Sequence, residues 1–496
     1  MNKWLALAAV NAGNFVPPLD TGIMAFILPT ISIGLRAPVS VVIWVPLTSL
    51  LIEAAFMPIF GRFSDRSGRK RWFLIGLALF ALGSFLAGNS LSIFELLLYR
   101  SIQSFGAAFI LANGRALIAD AFPPEERGFA LGTHIAVIYI ATAVGTAVTG
   151  SIVGLTQFVG WRYVFYASGS IAVVALFLSV FFIRESPRKI GVKMDWAGSL
   201  LFAVGLTSAL VVLTQIAQSG WGNIDVYIQE FRIPLLNIYF YPQYLISVPV
   251  WFVVTVAVGA IALLAIREVK FDAPLIDFRL FRENRIFLST NFSALFLYVS
   301  HWSSLILLSF YLQVIRGIDP FTSGLLLTSE PLAVTVFATL GGWISTRTGS
   351  RDPSIAGLII VGSSLALFTT VSPESSLTLI AFLLVMLGAG VGLFAPNNTN
   401  ANLGSVEPGD RAMANGLLGM MRHTGQSLSL ALGTFLIGSY VLGNCIVAGC
   451  SFSPAQYVGA LHVNFALGAG LAAAGVAFAW VGREAASHKT PSPEPA

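Results

Sequence analysis

Residues 61–71 read GRFSDRSGRKR. Five of these eleven residues are basic and one, Asp65, is acidic, in a chain of 496 residues of which only 10% are charged. Apolar stretches flank the run on both sides. The chain as a whole is 56% hydrophobic with a mean hydropathy of +0.81. Uninterrupted apolar runs of about 20 residues, enough to cross ~30 Å of hydrocarbon, recur along it. The alternation expected of a membrane-spanning strand does not occur. The fold class that follows is an all-α membrane protein, and the charged run is a loop between two of its spans. Fourteen spans are predicted, at 5–33, 40–60, 72–89, 91–116, 128–155, 164–183, 196–217, 247–266, 286–314, 320–344, 354–372, 376–400, 412–440 and 458–481.

Charge sets the orientation. With the N-terminus inside, the inner segments hold 21 of the 28 Lys and Arg residues and the outer loops hold four, Arg36, Arg162, Arg232 and Arg316. Three more, Arg100, Arg115 and Arg422, fall within spans. This asymmetry predicts a multi-pass protein of the cell membrane with both termini cytoplasmic. The charged run also has an echo: Gly61, Arg66, Gly68 and Lys70 recur with the same spacing as Gly342, Arg347, Gly349 and Arg351. PEERG at 124–128 recurs as PGDRA at 408–412. Two related halves are the plan of transporters that bind between repeats at the membrane midplane. On that plan residues 1–190 form one six-helix bundle and residues 285–481 the other. Two helices in 191–284 are inserted between them, joined by a long outer loop at 218–246 whose aromatic residues suit the membrane interface. Residues 482–496 are a cytoplasmic disordered tail. Cys445 and Cys450, both in the last outer loop, are disulfide candidates.

The run at 61–71 resembles the loop 2–3 signature of the major facilitator superfamily, G-x-x-x-D-R-x-G-R-K/R-K/R, at every signature position. LLLYRSIQSFGAA (96–108) is similar to that superfamily's fourth-helix motif through Arg100, Gln103 and Gly106. LDTGIMAFILP (19–29) is similar to the first-helix motif of its fourteen-helix drug:proton antiporter group through Leu19, Asp20, Leu28 and Pro29. DWAG (195–198), PLIDFRLFR (274–282) and FYLQVIRG (310–317) resemble further marks of that group. The resemblance covers nearly the whole chain. It implies two six-helix bundles plus two inserted helices, alternating access, and efflux of drugs in exchange for protons. One signature departs: GTAVTG (145–150) stands where antiporters carry G-P-x-x-G-G, with Thr146 in place of the proline and Thr149 in place of a glycine. Gly145 and Gly150 still permit close helix packing.

Ionisable groups inside a bilayer are costly and point to function. Asp20 is the candidate proton carrier, because an exchanger needs a carboxylate that holds either a proton or a substrate. Arg100, near mid-membrane on the fourth span, requires a carboxylate partner, and Asp20 is the expected one. Gln103, one turn along, would share that polar patch. Glu53 and Glu330 precede Gly61 and Gly342 by eight and twelve residues, on helices equivalent under the repeat. If both face the central cavity, it is acidic and suits a cationic substrate. Trp44, Tyr298, His301 and Trp302 are candidates for an aromatic wall against flat organic compounds, and Asn397 for a polar contact in the pore. Gly61 and Gly68 would form the tight turn of the charged loop. Asp65 would meet the positive end of the thirteenth span. Arg66 belongs to the same signature. The resemblance pairs Arg69 with Asp120 and makes Arg422 a gating or packing residue.

No Walker A sequence is present, so ATP is not the expected energy source. Nothing in the residue pattern calls for a cofactor, a metal or nucleic acid, and no nucleophile, base and orienter stand together as in an enzyme. The expected partners are a small-molecule substrate, protons and the lipid bilayer, and the expected state is a monomer.

Overall fold

The computed structural model describes residues 2–37, 39–156, 160–185, 195–219, 222–227, 231–233, 238–240, 245–270, 278–406, 411–441 and 454–486. Helices dominate. The first group is α1 (Lys3–Gly34), α2 (Val39–Val42), α3 (Trp44–Ser67), α4 (Arg69–Gly88), α5 (Ile93–Ala121), α6 (Pro124–Thr156) and α7 (Gly160–Phe182). Next come α8 (Trp196–Ser219) and α9 (Val250–Lys270). The remainder are α10 (Phe278–Glu283), α11 (Arg285–Phe310, continued by a π turn over Tyr311–Ile315), α12 (Pro320–Leu327), α13 (Ser329–Thr348), α14 (Arg351–Phe368), α15 (Leu377–Gly404), α16 (Arg411–Val441) and α17 (Pro454–Ala486).

Among the described residues, eleven helices are long and apolar enough to cross a membrane, or twelve when the bent α1 is taken as one span. Its arms, Lys3–Met24 and Ile27–Gly34, meet at 66°. Pro29 lacks the N–H that would close onto the turn at the bend. Helices α12 and α13 lie within one crossing, Pro320–Ser345. The other two predicted spans fall on α8, apolar over its described stretch Trp196–Val212, and on α16, which carries Asn415, Arg422, His423 and Gln426.

The charged run differs from the expected loop. Helix α3 continues to Ser67 and α4 begins at Arg69, so only Gly68 is non-helical, with φ of +114°. Gly61 is therefore not part of a tight turn; it sits inside α3 with open space beside it. Helical hydrogen bonding does not require apolar side chains, so the helix outlasts the membrane. Ser64 and Ser67 hydroxyls donate to Gly61 O (2.9 Å) and Phe63 O (2.6 Å) in these last turns. Glu185, at the end of α7, accepts the Lys70 N–H at 3.0 Å and so satisfies a free donor at the start of α4. The Lys70 ammonium donates to Val180 O at 2.8 Å. Arg69 pairs with Asp120 at 2.7 Å across to the end of α5. Arg66 is exposed. The Asp65 side chain lies outside the described residues, as do Cys445, Cys450 and the tail from 487.

Helices α1 and α3 to α7 pack on one another, as do α11 to α17, and α8 with α9 forms a hairpin whose first helix lies against α3 and α16. Asp195 ties that hairpin together: it accepts from Gly198 N–H at 2.7 Å, capping α8, and from Arg267 Nε at 2.8 Å on α9. Beyond α8 the segment expected as an interfacial loop contains antiparallel ribbons. Strand β1 (Asn223–Tyr227) pairs with β4 (Leu245–Pro249), and β2 (Phe231–Ile233) with β3 (Ile238–Phe240).

The two groups of helices touch along two seams. At the end carrying the Gly68 turn, α3 meets α16, with Met57 against Gly419, and Arg115 Nη1 donates to Asn415 Oδ1 at 2.5 Å. At the opposite end α6 meets α12. There a Cβ at Gly150 would lie 2.9 Å from Pro320 O, and the hydroxyls of Thr146 and Thr328 are 3.0 Å apart. Gly145 packs directly on Leu19 O of α1. The missing proline thus leaves a hydroxyl that bonds across the seam.

Candidate functional site

Four helices bring the first cluster together. Arg100 (α5), 1% exposed, directs Nη1 at both oxygens of Asp20 (α1), at 2.9 and 2.7 Å. The same nitrogen donates to Gln103 Oε1 at 2.6 Å, and Nη2 donates to Ser49 Oγ of α3 at 2.5 Å. Gln103 Nε2 returns to Asp20 Oδ1 at 3.0 Å and to Ser84 Oγ of α4 at 2.9 Å. Ser104 Oγ reaches Ser49 Oγ at 2.8 Å. A buried guanidinium held by a carboxylate and further polar groups meets the condition under which such a charge is tolerated. Removing one partner of such a pair costs about 3–5 kcal/mol.

Beside it, between the two groups of helices, lies a central cavity of about 140 Å³. Glu53, Glu330, Arg115, Arg422, His134, His301 and His423 are among its charged and titratable lining. His423 Nδ1 stands 3.4 Å from Glu53 Oε2. The Arg422 guanidinium lies 5.4 Å from the Tyr298 ring centroid. His134 Nδ1 meets Asn11 Oδ1 at 3.0 Å, and His301 Nδ1 meets Leu297 O at 2.8 Å. Pro17, Pro18, Pro331 and Pro396, with Tyr298 and Trp302, form stiff apolar walls. A smaller cavity of about 40 Å³ runs from Asp20 and Arg100 to Glu53. Both cavities are bordered by Thr21, Glu53, Thr142 and Trp302, so Glu53 is the carboxylate that faces both. A cavity of this size holds a benzene-sized group. Larger compounds require one of the two seams to part.

The structure brings together most of the residues expected from the sequence. Asp20, Arg100 and Gln103 form one cluster, and Glu53, Glu330, Tyr298, His301, Trp302 and Arg422 line the central cavity. Three placements differ. Gln103 is sealed behind Asp20 and lines neither cavity. Trp44 packs against the apolar core near the start of α3. Asn397 is fully buried and donates to Leu393 O at 2.8 Å, while its neighbour Asn398 faces the cavity. One residue is a rotation of about 100° on a helix, and the apolar pattern around these asparagines does not fix the face.

The expected acidity of the cavity is also corrected. Arg115 and Arg422 line it together with the two glutamates, so guanidiniums and carboxylates are equal in number. A lining of balanced charge does not select a cation. Arg115 stands out in the sequence as a charge within a span, but its meeting with α16 depends on packing between distant segments. Ser49, Ser84 and His134 carry no comparable signal, because single serines are common in membrane helices and a lone histidine has many structural uses.

Comparison with known proteins agrees with this architecture. The family model described as Major Facilitator Superfamily matches residues 10–279 and 290–496. The riboflavin transporter RibZ of Clostridioides difficile is 29% identical over 433 residues, covering 87% of each chain. The multidrug resistance protein Stp of Mycobacterium tuberculosis is 30% identical over 437 residues, covering 87% of this chain and 75% of that protein. The tetracenomycin C resistance and export protein of Streptomyces glaucescens is 26% identical, covering 86% and 74%. Among solved structures, a bacterial homologue of the human lysosomal transporter Spinster, captured inward-facing, superimposes with a TM-score of 0.69 at 16% identity over 99% of both chains. The chain is a multi-pass membrane transporter, not an enzyme, and it belongs to the Major Facilitator Superfamily.

Proposed function

We propose that this protein is a proton-coupled exporter of amphipathic organic compounds that works by alternating access. The observation that carries the reading is the buried Asp20–Arg100 pair, which borders a small cavity that shares Glu53 with the central one. Asp20 exchanges a proton for its bond to Arg100, Glu53 passes the proton between the two cavities, and Glu330 offers a second carboxyl on the facing helices. Tyr298, His301, Trp302 and Asn398 contact the substrate. The seams at α3–α16 and α6–α12 open alternately. The Gly68 turn, with the Arg69–Asp120 pair and Asp65, latches the cytoplasmic side. Gly145, Gly150 and Arg422 hold the helices that move.

In this reading the chain is a monomer of the cell membrane with fourteen spans and both termini cytoplasmic. Six spans lie in 1–190, two in 191–284 and six in 285–481, with a cytoplasmic tail at 482–496. It belongs to the fourteen-helix drug:proton antiporter group, and the relatives named for multidrug resistance and for export support that placement. A second reading, a metabolite transporter of the same fold, is favoured by the similarity to a riboflavin transporter across 87% of both chains.

Transport into inside-out vesicles under an imposed pH gradient tests the proposal. The Asp20→Asn protein is expected to fold and to lose gradient-driven transport altogether. Undiminished transport in that variant removes the proton role. Substrate movement down the proton gradient, rather than against it, selects an uptake symporter instead.

A further inference from the structure

We propose that the central cavity binds an amphipathic organic anion, with its acidic group held between Arg115 of α5 and Arg422 of α16. This rests on the transporter reading above and names the class of substrate. A guanidinium keeps its charge at any physiological pH, and in a water-poor site it requires a counter-charge. Arg100 shows how the fold meets that need, with both Asp20 oxygens within 2.9 Å. Arg115 and Arg422 are not treated the same way. Arg115 donates to a neutral amide, Asn415 Oδ1. Arg422 rests over the face of Tyr298, and its Nε is buried without a hydrogen-bond partner. Among the described residues neither guanidinium makes an ion pair. Glu53 is turned toward His423, and Glu330 Oε2 has no partner. Both guanidiniums line the same cavity, so an anion within it can meet the two together.

A carboxylate, phenolate or sulfonate placed between them accepts from both, and charge-assisted bonds of that kind are the strong ones. The flat apolar body of the same molecule finds Tyr298, Trp302 and the cavity prolines. Because Arg115 and Arg422 belong to opposite groups of helices, an anion bound to both ties the two groups together beside the α3–α16 seam.

Two dyes that share a xanthene ring system separate the charges: fluorescein is anionic and rhodamine 123 cationic. Binding of each to the purified full-length protein is read by fluorescence anisotropy. Fluorescein is expected to bind more tightly than rhodamine 123. Arg115→Gln and Arg422→Gln are each expected to weaken fluorescein about tenfold or more, with rhodamine 123 changed less than about twofold. Tighter binding of rhodamine 123 to the unaltered protein, absence of fluorescein binding, or unchanged fluorescein affinity in both variants overturns the proposal. The preference of the unaltered protein decides the matter even where a variant does not fold. Vesicle transport keeps the two readings apart. If a pH gradient drives rhodamine 123 and excludes fluorescein, the anion site alone is wrong. If it drives neither dye, the exporter reading is wrong.

Discussion

Equivalent positions in the two halves share their backbone chemistry and differ in their charges. Gly68 and Gly349 both end a helix at positive φ, +114° and +81°, and both donate to a serine carbonyl four residues back. Ser64 and Ser345 make the same bond to Gly61 O and Gly342 O, at 2.9 and 2.8 Å. Ser92 and Ser376 cap α5 and α15 with equal bonds of 3.2 Å. Gly76 meets Gly106 as Gly357 meets Gly390. Yet the repeat positions of Arg100 and Gln103 are Leu384 and Leu387, both fully buried. The position of Asp20 is His301, and that of Ser49 is Glu330. Asp120 is answered by Gly404 and Asp65 by Thr346, so the second turn has neither acid. The halves share a scaffold, and among the described residues the first half alone carries a buried Asp–Arg pair of this kind.

The sharpest way to break this contrast is to give the first half the residue of the second. Arg100→Leu leaves Asp20 buried without its partner, and a loss of about 3–5 kcal/mol is expected, measured by thermal unfolding in detergent. The double variant Asp20→Asn/Arg100→Leu should recover part of that loss. A single variant as stable as the parent means the pair does not hold the half together. The glycines test the shared scaffold. A Cβ at Gly106 lies 2.5 Å from Gly76 O and one at Gly390 lies 2.6 Å from Gly357 O. Alanine at either site should therefore cost a similar amount, about 1–3 kcal/mol, and clearly unequal melting shifts would deny the equivalence. Ser92→Ala and Ser376→Ala should each cost about 1 kcal/mol, again alike. Smallest is Arg69→Ala. Its pair with Asp120 is 13% and 32% exposed, so less than about 1 kcal/mol is expected. That difference should fade at high salt.

Much of the fold is legible in the sequence because long apolar runs and a lopsided distribution of Lys and Arg are dictated directly by the bilayer. Asp20, Arg100, Gln103, Glu53, Glu330 and Arg422 are legible for the converse reason: a polar group in an apolar run must be satisfied by something. What stays hidden depends on packing between distant segments. Whether Asn397 or Asn398 faces the cavity is a matter of helix rotation. The approach of Arg115 to α16 joins positions far apart in the chain. The extension of α3 through the charged run escapes a hydropathy reading, which marks where the membrane ends and says little about where a helix does. The β1–β4 ribbon escapes it because its register is set by the partner strand, on the far side of the loop.

The Asp20–Arg100 pair has an electrical side. With the carboxylate ionised the pair is neutral. With it protonated the guanidinium still carries its charge, and the pair becomes a net cation inside the membrane. Moving one elementary charge through the field changes the energy by about 2.3 kcal/mol per 100 mV. Whatever fraction of the field the pair crosses as the halves rock, only the protonated form feels it. Membrane voltage would then act on one arm of the transport cycle and leave the other untouched.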